Sequence, residues 1–120
     1  MCNVLVIDDE KMISDMLQTV LTRLGYSVET APGGREGLEI YEDGDFNLVI
    51  TDIRMPEIDG HDVMRHIRSS DRPHTPIIGM SGTPWLLNGD GFNYTLSKPF
   101  GIKTLINTIN ELITNHKNSD

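Results

Sequence analysis

The chain has one cysteine, Cys2, so no disulfide can form within it, which fits a reducing compartment. Long hydrophobic runs are missing as well, and no apolar stretch is long enough to span a bilayer. The opening residues, Met1-Cys2-Asn3-Val4, have neither the basic patch nor the extended apolar core of a secretory signal. The expected location is therefore the cytoplasm; Met1 argues for a native start, and excision from a larger protein stays open. Positive charge is scarce: Lys and Arg number 10 against 18 Asp and Glu, a net charge of −8. Such a surface repels phosphate backbones and anionic lipid, which argues against direct binding of nucleic acid or membrane. No repeat, low-complexity tract or linker interrupts the chain, so residues 1–120 are expected to form a single domain.

What is present is alternation. Asn3-Val4-Leu5-Val6-Ile7 is a continuous apolar, β-branched run that stops at Asp8-Asp9. A run of that kind suits a strand buried on both faces, as in a parallel sheet. From Glu10 to Leu24, Met12, Ile13, Met16, Leu17, Val20, Leu21 and Leu24 recur at helical spacing, and Gly25 follows as a stop. Ser27–Thr30 reads as a second strand and Gly34–Glu42 as a second helix. Asn47-Leu48-Val49-Ile50-Thr51 is a third strand ending at another acid, Asp52. Pro56 and Asp59-Gly60 mark a turn before a helix over His61–Arg68. Pro76–Met80 is a fourth strand, and Leu96-Ser97 lies in a short fifth one before Lys98-Pro99. Ile102, Leu105, Ile106, Ile109, Leu112 and Ile113 form the stripe of a final helix. Strands alternating with helices predict an α/β fold, a parallel sheet covered on both faces. Sites in such sheets lie beyond the carboxyl ends of the strands.

Asp8 and Asp9 end the first strand, and Asp52 ends the third. If those strands are neighbours, three carboxylates meet at one edge, each raising the others' pKa. A hard divalent cation relieves the repulsion, and Mg²⁺ suits a site of few carboxylates plus a phosphate. Strand-end acids are also ordinary turn and cap residues; the joint occurrence of Asp8-Asp9 with Asp52 and a late Lys98-Pro99 is what favours a site. Lys98 would act as a point charge and Ser81 as a hydroxyl donor to a phosphoryl oxygen.

The segments Val4–Glu10, Thr51–Gly60, Met80-Ser81-Gly82 and Ser97–Phe100 together resemble the receiver domains of bacterial two-component response regulators, of the stand-alone, chemotaxis type. The resemblance implies a flavodoxin-like, doubly wound, five-stranded parallel sheet of order 2-1-3-4-5. It implies a phosphorylation-dependent signalling switch rather than an enzyme with an external substrate. Asp52 would take a phosphoryl group from a sensor histidine kinase or a histidine phosphotransfer protein. Mg²⁺ or Mn²⁺ would be held by Asp9, Asp52 and the backbone carbonyl of Arg54, with Asp8 acting through water. Lys98 and Ser81 would stabilise the phosphoryl group, and the signal would pass by partner binding, with dimerisation on phosphorylation left open. Thr83, Tyr94, Thr95 and Arg54 stand at switch or modulator positions. The Arg54 guanidinium would either cover the phosphoryl group or pair with Glu57.

The sequence departs from the family pattern between Ser81 and Lys98, where the connection is short and rich in glycine and asparagine. The helix expected there is shortened or irregular. The usual aromatic three residues before the lysine is replaced by Thr95, with Tyr94 one position earlier and so directed to the other face of the strand. Trp85, Phe92 and Tyr94 either form a partner-binding patch or cover the core edge. The alternative overall reading is a degenerate receiver that binds partners without phosphorylation.

Overall fold

A computed structural model of the chain describes residues 2–82 and 91–118, with side chains to Thr114. Strand β1 (Asn3–Ile7), helix α1 (Lys11–Arg23), β2 (Ser27–Ala31), α2 (Gly34–Asp43), β3 (Leu48–Asp52), α3 (Gly60–Arg68), β4 (Ile77–Ser81), β5 (Tyr94–Ser97) and α4 (Ile102–Asn118) follow in that order. All strand pairs are parallel, in the order β2-β1-β3-β4-β5. This is the doubly wound topology that the alternation and the resemblance lead one to expect.

The strand composition follows from burial on both faces. Leu5, Ile7, Val49 and Ile77 face α2 and α3, where they meet Tyr41, Val63, Met64 and Ile67. Val4, Val6, Leu48, Ile50, Ile78 and Met80 face α1 and α4, where they meet Leu17, Leu21, Leu105 and Ile109. Every residue of β3 and β4 is buried, so neither strand has a polar face. Each such aliphatic side chain contributes about 1.5–3 kcal/mol by leaving water. The two layers hold the strand ends rigidly, and the polar residues at those ends inherit that rigidity.

The helical stripe of α1 is narrower than the sequence pattern suggests. Ser14, Leu17 and Leu21 are its buried residues, while Met12 is 87 % exposed and Leu24 48 %. At about 100° per residue Met12 lies nearly opposite Ser14, so its side chain points to solvent. Ser14 is small enough for close packing, and its hydroxyl is satisfied by the Lys11 carbonyl at 3.1 Å. Leu24 is the C-cap residue, already turning off the helix.

Two strands run one residue further than the apolar pattern indicates, so that Asp52 and Ser81 are the last residues of β3 and β4. The fifth strand starts at Tyr94. Thr83 and Trp85, and the shortened helix expected between the fourth and fifth strands, fall on residues 83–90, outside the described residues.

Candidate functional site

Asp52 is carried to the carboxyl edge of the sheet by β3, between β1 and β4. Beyond it the chain must turn sharply into α3. A capping box makes that turn: Asp62 N–H donates to Asp59 Oδ1 at 3.0 Å and Asp59 N–H to Asp62 Oδ2 at 3.1 Å. Gly60 then packs directly on the end of β3. Its N–H donates to the Ile53 carbonyl at 2.9 Å, and a Cβ there would lie 2.5 Å from the Asp52 carbonyl oxygen. The Asp59-Gly60 pair thus fixes the position of the end of β3, a tighter role than a turn signal implies.

The Lys98 ammonium bridges the acids. Its Nζ lies 3.3 Å from Asp52 Oδ1, 3.5 Å from Asp8 Oδ2 and 3.2 Å from Glu10 Oε1. Lys98 reaches them because β5 ends beside β4: the Lys98 N–H donates to the Ser81 carbonyl at 2.8 Å. Asp8 and Asp52 are buried, whereas Asp9 and Glu10 are exposed. Asp52 Oδ1 also accepts the Ile53 N–H at 2.9 Å, and Asp8 Oδ1 accepts the Glu10 N–H at 2.8 Å.

Burial raises the Asp52 carboxyl to about 6, helped by the Asp8 charge and opposed by Lys98. Burial raises Asp8 as well, against the hydrogen bond from Glu10 and the charge of Lys98. Burial alone would lower Lys98, but the Asp8 and Asp52 carboxylates outweigh it and the ammonium is held above its ordinary value. Carboxylate oxygens of Asp8, Glu10 and Asp52 lie within 4.8 Å of one another. Three acids against one ammonium leave excess negative charge in a poorly solvated pocket. Such a donor set, all oxygen, fits a hard divalent cation.

The positions picked out in the sequence divide as follows. Asp8, Asp52 and Lys98 converge, with Ser81 buried at the neighbouring strand end. Asp9 stands beside them, contributing charge to Asp52 and lining a cleft of about 310 Å³ with Pro32–Glu36 and Pro56–Ile58. Arg54 is exposed two residues past Asp52. The pairing considered for it with Glu57 does not occur: Glu57, at a φ of 65°, is turned toward α2 and pairs with Arg35 at 2.8 Å. Thr95 pairs in register with Gly79 and Tyr94 with Ile78, so the two side chains take opposite faces. Tyr94 is exposed, 45 % of it accessible. Phe92 covers the core edge instead of joining a surface patch: it is buried, lies over Gly79 and meets His61 edge-on at 5.7 Å. Glu10 has no role in the sequence reading. Its place in an unbroken run of acids was the available signal, but an acid beside a helix start ordinarily reads as a cap or a solvated side chain.

No helix among the described residues is long and apolar enough to cross a membrane. Residues 4–110 match the family model described as the response regulator receiver domain. The chain is 34 % identical over 109 residues to the uncharacterized transcriptional regulatory protein YkoG of Bacillus subtilis, covering 87 % of this chain and 47 % of that protein. It spans about half the length of such curated relatives. Among solved structures, a response regulator receiver domain protein from Clostridium thermocellum superposes with a TM-score of 0.91 at 31 % identity, covering 100 % of both chains. The response regulator TrrA of Thermotoga maritima, in complex with Mg²⁺ and BeF, superposes with a TM-score of 0.85 at 31 % identity, covering 93 % of this chain and 99 % of that one. With its family model spanning almost the whole chain and its acids gathered at the carboxyl edge of a 2-1-3-4-5 sheet, the protein belongs to the response regulator receiver domain family.

Proposed function

We propose that this receiver domain is a phosphorylation switch in which Asp52 accepts a phosphoryl group from a histidine kinase or a histidine phosphotransfer protein. One observation carries the reading: Asp52 Oδ1 sits 3.3 Å from Lys98 Nζ in a buried, acid-rich pocket at the sheet edge. With its carboxyl raised to only about 6, Asp52 is ionised at neutral pH and able to act as a nucleophile. An Asp52 carboxylate oxygen forms the new bond to phosphorus as the donor's N–P bond breaks, and the departing imidazole keeps the electron pair and takes up a proton. Lys98 would balance charge on the phosphoryl oxygens, and Ser81 would hydrogen-bond one of them.

Mg²⁺ would be held by Asp9, Asp52 and the Arg54 carbonyl, with Asp8 acting through water. Mg²⁺ supplies further neutralisation of the phosphoryl charge. The bound TrrA neighbour supports this reading, since its complex contains Mg²⁺ and a beryllium fluoride. Arg54, exposed beside the acceptor, modulates attack of water on the aspartyl phosphate. The output passes by binding of a partner to the changed surface, and the domain works in the cytoplasm, consuming no substrate but its own phosphoryl group.

The test is incubation with acetyl phosphate and Mg²⁺, with Asp52→Ala alongside. An acid-stable, hydroxylamine-labile adduct in the parent and none in the variant supports the switch. A parent that takes no phosphoryl group, yet binds its partner equally well as Asp52→Ala, would instead be a phosphorylation-independent binding module.

A further inference from the structure

Glu10 occupies the N-cap position of α1, where a short polar side chain normally accepts a hydrogen bond from the first turn. Its side chain makes no such bond. The carboxylate turns back across the strand edge and meets Lys98 Nζ at 3.2 Å, the shortest of the three acid contacts that the ammonium makes. The Glu10 N–H meanwhile donates to Asp8 Oδ1 at 2.8 Å. A single residue therefore orients one buried acid through its backbone and the ammonium through its side chain. The α1 N-terminus gives up a cap to make that second contact. Glu10 is 60 % exposed while Lys98 is 17 % exposed, so Glu10 holds the ammonium from the solvent side and the buried acids hold it from within.

We propose that Glu10 is a positioning residue for Lys98, holding the ammonium at the mouth of the Asp8–Asp52 pocket in the unphosphorylated protein and competing with the phosphoryl group for it afterwards. The inference rests on the phosphoacceptor reading. A phosphoryl group on Asp52 brings oxygens that are stronger partners for an ammonium than a solvated carboxylate. Lys98 must then loosen its contact with Glu10 to serve them. Glu10 consequently favours the resting state of the pocket. Its negative charge beside Asp8 and Asp52 also assists capture of a divalent cation.

The experiment compares the parent with Glu10→Gln and Glu10→Asp in two titrations: Mg²⁺ alone by calorimetry, and beryllofluoride at saturating Mg²⁺ by NMR. Glu10→Gln is expected to weaken Mg²⁺ binding and to tighten beryllofluoride binding, each by about 1.5-fold to fivefold, the range open to a partly exposed charge pair. Glu10→Asp is expected to return both affinities toward the parent. A general loss of stability cannot produce opposite shifts in the two affinities. Equal affinities in the parent and Glu10→Gln would overturn the role of Glu10 and leave the acceptor reading intact. A parent that binds no beryllofluoride would overturn the acceptor reading, and this inference with it.

Discussion

Lys98 Nζ stands 3.3 Å from Asp52 Oδ1 and 3.5 Å from Asp8 Oδ2, so one ammonium holds together two buried acids, one at the end of β3 and one just past β1. Their neighbourhood depends on strand order, because β3 lies between β1 and β4, and β5 follows β4. The consequences of this arrangement can be measured one residue at a time.

Replacing Lys98 by Met leaves Asp8 and Asp52 facing each other with no cation between them. Removing one partner from a buried ionic group costs about 3 kcal/mol or more. Lys98→Met is therefore expected to melt several degrees below the parent in chelator. Millimolar Mg²⁺ should recover much of the deficit, since a cation that binds only the folded state adds its binding free energy to stability. Scanning calorimetry with and without Mg²⁺ checks this; a variant as stable as the parent in chelator would contradict the bridge.

Asp52 makes stability depend on pH with a definite sign. Its carboxyl is raised from 3.8 to about 6 in the folded chain, so the folded state holds that proton more tightly than the unfolded state does. Stability from this group is fully present below pH 3.8 and is lost as pH rises toward 6, by roughly 3 kcal/mol. Asp52→Asn carries no such charge. In chelator the variant is expected to gain on the parent between pH 4 and 6 and to keep a constant advantage above that. Paired denaturant titrations across the range decide it, and an advantage independent of pH would count against the burial described.

Gly60 tests the link from turn to site. An alanine methyl would meet the Asp52 carbonyl oxygen at 2.5 Å, and that oxygen is backbone and cannot move aside freely. Gly60→Ala is expected to destabilise the fold by about 2 kcal/mol and to slow acceptance of a phosphoryl group from acetyl phosphate. Normal stability and normal uptake together would show that the strand end tolerates displacement.

Phe92 and Tyr94 should respond in opposite ways to truncation. Phe92 is packed over Gly79 in the core beside α2 and α3. Its replacement by Ala is expected to cost about 3–5 kcal/mol. Tyr94→Ala, at an exposed position, should stay within about 0.5 kcal/mol of the parent. Urea midpoints separate the two, and equal losses would mean that β5 packs differently.

Much of this is legible in the residues themselves. The β-branched runs ending at Asp8 and Asp52 announce buried parallel strands, because only a strand covered on both faces has no polar alternation. Other features depend on contacts between distant segments. The exposure of Met12 follows from which side of α1 meets the sheet, and Ser14 hides that side because a small buried hydroxyl does not register as hydrophobic. Glu57 turns to Arg35 because α2 lies next to α3. Nothing local marks Glu10, because its partner is Lys98, far along the sequence, and no local spacing joins them.

The central claim is that Asp52, and none of the neighbouring acids, takes the phosphoryl group. Borohydride reduces an aspartyl phosphate to homoserine, which marks the residue permanently. After treatment with acetyl phosphate and Mg²⁺, reduction and peptide sequencing should place homoserine at position 52 and nowhere else. Homoserine at position 8 or 9, or at no position in a folded sample, would contradict the account.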